Sequence, residues 1–508
     1  MSLSTEDVGK GQPSHIESSP NSVIDTPTYH ADVDTSQIDE KKLLRKVDMR
    51  LIPWLSLLYL LSFLDRTSIG NAKLYSLEED LGLTDKQYLI ALTIFFFSYS
   101  IFEASSFKYI SQTSTALHMA FCAHTVQGLV HNYGGLLGMR WMLGTFEAGL
   151  FPGVNYYLSC WYKRSEFGIR AALFFSAATV SGAFGGLLAA AISKMDGIGG
   201  KPAWAWIFIL EGLATVLAGA ASFWIIQDFP DEAKFLTEEE RAFIVRRLQS
   251  DDQFSAAGEK LRAKYIFQAL KDWKTWLGML CYAGSDAPLY AFSLFTPSII
   301  NQLGYTATPA NLLSVPVYAW ACILTVGVGY MADRIGNRGV FNLIFFTIGL
   351  AGYIILIASR NPALSYFAVY LAASGIYPLI RDQYYCLDEQ QRRRIVQAER
   401  SSWMIISFGN LNGAVSSNIY RARDKPWYSL GHGIVLMYIV IGWITSLAFI
   451  ILLRRENAKR ERGERDEVIT GDIHNDEKAV ESRNGVYSTV EEAKRDKGDD
   501  WSGYRYIT

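Results

Sequence analysis

The chain is expected to be an all-α membrane protein, about twelve transmembrane helices in two halves of six, and three observations predict that. Apolar runs recur from residue 51 to residue 453. The charged residues, only 19% of the 508, crowd into both ends and a few short loops. A charged stretch near the middle divides the apolar runs evenly. Roughly 20 apolar residues in a helix cross about 30 Å of hydrocarbon, and most of the runs reach that length.

Residues 1–45 are rich in Ser, Thr, Asp and Pro and have no apolar core of a signal peptide, so a disordered cytoplasmic tail is expected. The first span then serves as the insertion signal. Spans follow at 51–72, 87–105, 114–132, 134–158, 170–193 and 204–226, which make an N-terminal half of 46–226. A linker over 227–273 opens a helix at Thr237-Glu-Glu-Glu240, with an acidic first turn and Arg241, Arg246 and Arg247 beyond it. An amphipathic helix lying beside the membrane is expected there. Spans at 275–297, 311–332, 338–358, 363–380, 401–420 and 430–453 complete a C-terminal half of 274–455. The third, tenth and eleventh are short or polar, which leaves eleven as the alternative count. Residues 456–508 form a charged tail, disordered or loosely helical, whose Lys/Arg cluster is placed to meet anionic headgroups.

Lys and Arg gather at 41–50, at Lys163-Arg164 and Arg170, through 234–274, at Arg334 and Arg338, at 392–394 and at 454–465. The alternate loops, such as 73–86 with Glu78, Glu79 and Asp80, are acidic or nearly neutral. The excess of positive charge therefore puts both termini in the cytosol. Two six-span halves joined by a linker suit rocking about a central site.

Within the first span stand an acid and a base, Asp65-Arg66. Each charge costs about 2.5–3.5 kcal/mol at a helix centre on insertion scales, so such a pair is expected to face a bundle interior or a watery cavity that handles ions or substrate. In the fourth span Arg140 and Glu147 lie seven apart, on one helical face. Burial and a neighbouring cation act in opposite senses on a carboxylate, which suits Glu147 to binding and releasing a proton; a structural Arg–Glu pair is the alternative. Gly149-x-x-x-Gly153 and Gly182-x-x-x-Gly186 permit close helix packing. Tyr282, Asp286 and Tyr290 share a face of the seventh span, where two tyrosines could sandwich a flat ring or fill a helix interface. Asn410 and Asn412 could serve substrate or interhelical bonds. The cysteines, at 122, 160, 281, 322 and 386, have no metal-ligand spacing, and His118, His124 and His131 do not share one helical face. No phosphate-binding loop is present and no nucleophile–base constellation stands out, which argues against an enzyme.

Phe63-Leu-Asp65-Arg66-Thr-Ser-Ile-Gly70-Asn71-Ala-Lys73, the Arg140–Gly153 motif and Trp206-Ile-Phe-Ile-Leu-Glu211-Gly212 resemble the fungal anion:cation symporters of the major facilitator superfamily. The stretch from Gly153 to Phe167 resembles the nicotinic acid permease branch, alongside allantoate and pantothenate carriers. Gly329-Tyr-Met-Ala-Asp333-Arg334-Ile-Gly336-Asn-Arg338 is similar to the superfamily's signature loop. The resemblance covers about residues 45–455. It implies a major facilitator fold and proton-coupled import of a small organic anion such as nicotinate at the plasma membrane. It also implies roles: Arg66 meeting the substrate carboxylate; Asp65 and Glu147 in proton coupling, with Arg140 tuning Glu147; and Asp333, Arg334 and Arg338 holding one state of the cycle. Tyr282, Tyr290 and Asn410 are the further candidate substrate contacts, from their own chemistry and their places in the seventh and eleventh spans. A permanent planar fork suits a carboxylate, and acids that change charge suit coupling. The expected partners are a small organic anion, a proton and the lipid bilayer, with no nucleic acid, no cofactor beyond the proton gradient, and a monomeric state. A non-transporting nutrient sensor, a membrane enzyme and a facilitator of neutral solutes are the competing readings. Similarity lapses over 104–127 and 381–400 and then resumes, which reads as mistaken exon boundaries or shifted frames and, if the residues are genuine, puts transport competence in question.

Overall fold

The computed structural model describes residues 33–106, 124–227, 229–249, 270–335, 338–390, 395–469, 484–497 and 500–506. Helix α1 (Glu40–Lys73) is capped by Asp39, whose carboxylate accepts from Lys41 N and Lys42 N at 3.0 and 3.3 Å. After the one-turn α2 (Leu77–Asp80) come α3 (Asp85–Ser106), α4 (Tyr133–Glu147), α5 (Leu150–Ser159), α6 (Arg164–Ile192) and α7 (Ala203–Ile225). The second half holds α9 (Trp273–Gln302), α10 (Ala307–Ile335), α11 (Arg338–Ala358), α12 (Pro362–Gln390), α13 (Ile395–Ser416) and α14 (Ser429–Glu461). Between the halves lies α8 (Glu238–Gln249), and α15 (Val490–Lys497) follows near the C-terminus.

Eleven of the twelve expected spans coincide with these helices. Most of the third lies outside the described residues, which resume with helical backbone at 124–127. Among the described residues, six helical stretches are by themselves long and apolar enough to cross a membrane: Glu40–Lys73, Leu173–Met195, Ala203–Ile225, Ala307–Ala332, Gly339–Ala358 and Ser429–Glu461. The fourth span is two helices, broken at Ala148-Gly149. Of the two stretches where similarity lapses, 107–123 and 391–394 lie outside the described residues, as do the side chains of 104–106 and 380–403.

In the first half α1 packs on α6 and α7; in the second, α9 packs on α13 and α14. The halves meet where α6 runs along α10 and α3 along α13. Tyr59 stacks on Phe174 with ring centroids 4.3 Å apart and meets Phe151 and Phe175, so α1, α5 and α6 share an aromatic core. Leu213, Leu217, Phe223, Trp224, Ile344 and Ile354 face outward, as lipid-facing positions would.

The linker forms the expected helix, α8, and it is clamped to the first half. Its start is the reciprocal box read from the sequence, with Thr237 N donating to Glu240 Oε2 at 3.0 Å and Glu240 N to Thr237 Oγ1 at 3.3 Å. Ala242, Ile244, Val245 and Leu248 are buried. Arg247 pairs with Glu40 at 2.7 Å and with Glu166, and Lys46 pairs with Glu240 at 2.7 Å. The tail also has structure where it is described. Val468–Ile469 pairs in parallel with Val486–Tyr487, and Tyr506 docks on α9 and α14, accepting at its hydroxyl from Lys274 Nζ (2.9 Å) and Arg460 Nη2 (3.1 Å).

Candidate functional site

A cavity opens between the halves. Tyr59, Phe63, Arg66, Tyr99 and Phe175 line it from the first half, and Tyr282, Asp286, Tyr290, Tyr377 and Asn410 from the second. Its walls are aromatic and its floor is ionic. Proline residues 288 and 297 lie inside α9 on either side of Tyr290, where each removes a backbone donor that a regular helix would use. Gly409 on α13 lets α9 approach: a Cβ there would meet the Tyr282 ring at 2.2 Å and Asp286 Oδ2 at 3.3 Å.

Arg66 is the centre of the arrangement, and only 5% of it is exposed. Its Nη2 lies 3.2 Å from Glu147 Oε2, and its Nη1 donates to the Tyr290 hydroxyl at 3.0 Å. The guanidinium carbon sits 4.7, 5.0 and 5.1 Å from the ring centres of Tyr99, Phe95 and Phe63, which supply cation–π attraction in a dry setting. From Tyr290 the chain of bonds runs on. The Tyr290 hydroxyl donates to Asn410 Oδ1 at 2.7 Å, and Asn410 Nδ2 donates to both carboxylate oxygens of Glu103 at 3.2 Å, where Ser407 Oγ also donates at 3.2 Å. One network thus joins α1, α3 and α4 of the first half to α9 and α13 of the second. Removing one partner of a buried ion pair typically costs about 3–5 kcal/mol, so the Arg66–Glu147 contact is stable only while each has the other or a substitute.

Arg66, Tyr290, Asn410 and Glu147 therefore come together in one network, and Tyr282 lines the same cavity. The two tyrosines do not form a sandwich: Tyr290 meets Phe96 edge-on at 4.7 Å and is held by its hydroxyl. Arg140 is buried but bonds to the backbone oxygen of Arg66 at 3.4 Å, and it is Arg66 that pairs with Glu147. Asp65 turns away from the cavity towards α7, where Thr215 Oγ1 donates to it at 3.3 Å and His124 Nε2 lies 3.5 Å away. Asn412 makes an interhelical bond with Tyr438 at 3.0 Å instead of lining the cavity. Arg334 is exposed at the end of α10, and the side chains of Asp333 and Arg338 lie outside the described residues. Glu103 is a site residue that the sequence reading does not single out. A lone acid in an apolar run was the available signal.

Comparison with known proteins agrees with the fold. Residues 55–382 match the family described as Major Facilitator Superfamily. The chain is 35% identical to the MFS-type transporter cnsO of Penicillium expansum over 84% of this chain and 86% of that protein. It is 32% identical to the high-affinity nicotinic acid transporter of Saccharomyces cerevisiae, over 83% of this chain and 79% of that one. A bacterial homolog of the human lysosomal transporter Spinster, crystallised inward-facing and occupied, superposes with a TM-score of 0.60 at 16% identity, covering 82% of this chain and 98% of that one.

Proposed function

This chain belongs to the Major Facilitator Superfamily and is a multi-pass membrane transporter of small substrates, and from that premise we propose that it couples the entry of a small organic anion, with nicotinate the favoured member, to a proton. The observation that carries the proposal is Arg66, a permanently charged planar donor at the bottom of an aromatic cavity, already holding a carboxylate that belongs to the protein. A substrate carboxylate offers Arg66 a partner of the same charge and one able to engage both arms of its fork. When it arrives, Glu147 loses its counter-charge inside a bundle, where a bare carboxylate is strongly disfavoured. Glu147 then takes a proton, so anion and proton travel together and the site stays close to neutral. The flat aromatic walls suit a ring such as a pyridine, and the yeast relative that carries nicotinic acid supports that choice of anion.

The bonds from Tyr290 through Asn410 to Glu103 give the second half a way to sense Arg66. Rocking of the halves about this point is the alternating access of the fold. With the positively charged loops on the cytoplasmic side, both termini face the cytosol and the plasma membrane is the site of uptake.

Uptake of labelled nicotinate, measured in cells lacking their own carrier, tests the reading with the wild-type chain and Arg66→Ala. Uptake should rise from neutral to acid pH and collapse with a protonophore. The variant should lose at least about a hundredfold, the scale of a broken buried pair. Uptake that ignores the proton gradient would reject coupling, and saturable binding without uptake by surface-exposed protein would identify a sensor.

A further inference from the structure

Asp286 of α9 lines the cavity together with Arg66 and is only 3% exposed, yet its Oδ2 has no hydrogen-bond partner among the described residues. The neighbouring acids are held: Glu147 by Arg66, and Glu103 by Asn410 and Ser407. The charged groups that act on Asp286 are Arg66 of α1 and Glu103 of α3, and both are already bonded elsewhere. Gly409 of α13 makes room for the carboxylate, since a Cβ there would stand 3.3 Å from Oδ2. Tyr282 and Tyr290, one helical turn to either side, and Tyr59 of α1 line the cavity with it. A buried carboxylate oxygen without a partner has lost its hydration for no return. In a membrane helix, beside a cavity, such an acid marks a place where a ligand binds.

We propose that Asp286 binds a basic nitrogen of the transported molecule, so that the substrate is amphoteric, with its carboxylate at Arg66 and a protonated nitrogen at Asp286. An ionised carboxylate only accepts hydrogen bonds, so its complement is a donor. A hydroxyl would satisfy an oxygen of Asp286 but leave the negative charge uncancelled in an apolar bundle. A protonated nitrogen does both, through a charge-assisted bond. The rings of Tyr59, Tyr282 and Tyr290 act in the same direction, because an aromatic face attracts a cation. One proton is shared between the ligand nitrogen and Asp286; it arrives and leaves with the ligand, and no covalent bond to the protein forms. Asp286 is thereby a specificity-determining residue. Arg66 admits carboxylates as a class, and Asp286 selects those that carry the nitrogen.

The inference rests on the proposed function for the place of the carboxylate at Arg66, and its test reads binding instead of uptake. The full-length protein, purified in detergent, is heated with a concentration series of nicotinate, benzoate or meta-hydroxybenzoate, and the stabilisation gives the affinity of each. These three ligands share a ring and a carboxylate and differ in the nitrogen and the hydroxyl. The wild type should bind nicotinate about 10- to 100-fold more tightly than benzoate. Asp286→Asn, which keeps the size and removes the charge, should cut that ratio about tenfold or more. Benzoate should bind this variant at least as tightly as the wild type, since no bare carboxylate then faces its ring. Asp286→Ala should act in the same way and serves as the second variant. A wild-type ratio near one, or a ratio that both variants keep, would overturn the proposal. So would meta-hydroxybenzoate binding as tightly as nicotinate, which would make the donor a hydroxyl. Nicotinate and benzoate bound alike, and lost together in Arg66→Ala, would leave the proposed function standing without this inference. A preference for the nitrogen that depends on Asp286, beside nicotinate uptake that ignores pH, would reject proton coupling and leave Asp286 in its role. Binding of none of the three would overturn both.

Discussion

Arg66 works because two halves of the protein satisfy its fork at once, Glu147 from one and Tyr290 from the other. Tyr290 is the more informative residue to change, since its hydroxyl accepts from Arg66 and donates to Asn410. Tyr290→Phe keeps the ring and its contact with Phe96 but leaves Arg66 Nη1 and Asn410 Oδ1 without that partner. The loss of about 1–2 kcal/mol should raise the KM for the transported anion roughly five- to thirtyfold, with surface abundance unchanged. Uptake kinetics of the variant check this, and an unaltered KM would mean that the hydroxyl plays no part in holding the guanidinium for substrate.

At the scale of elements, charged segments that a composition-based reading leaves loose are held by specific partners. The box at Thr237 and Glu240 fixes the start of α8, so Thr237→Ala should weaken that turn by about 1 kcal/mol. Hydrogen exchange of amides 238–242 should speed up roughly fivefold, with little change in the membrane helices. The docked tail is tied by Glu467, which accepts from Lys497 Nζ at 2.7 Å and Ser502 N at 2.9 Å. Burial pushes its carboxyl up, but these hydrogen bonds outweigh burial and hold it below the usual glutamate value. A lowered folded value means stability that is present above about pH 4.3 and lost as pH falls through the lowered value. The amides of 484–497 and 500–506 should therefore keep their protection at neutral pH and lose it only in stronger acid, after correction for intrinsic exchange. Lys497→Ala should reduce protection already at pH 7.

For the whole molecule, the face between the halves matters most. Gly182 and Gly186 of α6 lie against α10: a Cβ at Gly186 would meet Asn311 O and Ser314 Oγ at 2.6 Å, and one at Gly182 would meet the Tyr318 ring at 2.6 Å. Asn311 Nδ2 also donates to Tyr75 OH at 3.2 Å, and Asn418 Nδ2 to Thr93 Oγ1 at 2.7 Å, so the two halves are closed against one another on this side. Gly186→Leu should disfavour that closure by about 1–3 kcal/mol. Uptake should fall about tenfold or more, and a cysteine placed at position 75 should react faster with a membrane-impermeant thiol reagent. Unchanged reactivity would show that the glycine pair does not limit closure.

The sequence by itself determined the bilayer-crossing pattern, because hydrocarbon admits only segments that satisfy their own backbone and hide their charges. It determined the box that opens α8, because that contact spans three residues. It singled out Arg66, Glu147, Tyr290 and Asn410, because charged or polar groups in apolar helices are conspicuous. Only the tertiary structure decided what those groups face. Asp65 and Arg66 are neighbours in the chain, yet successive residues of a helix point about 100° apart, so Arg66 enters the cavity while Asp65 joins His124 and Glu211 behind it. Glu103 meets Asn410 across 307 positions, and no local pattern encodes a pairing made by packing one half of the molecule on the other.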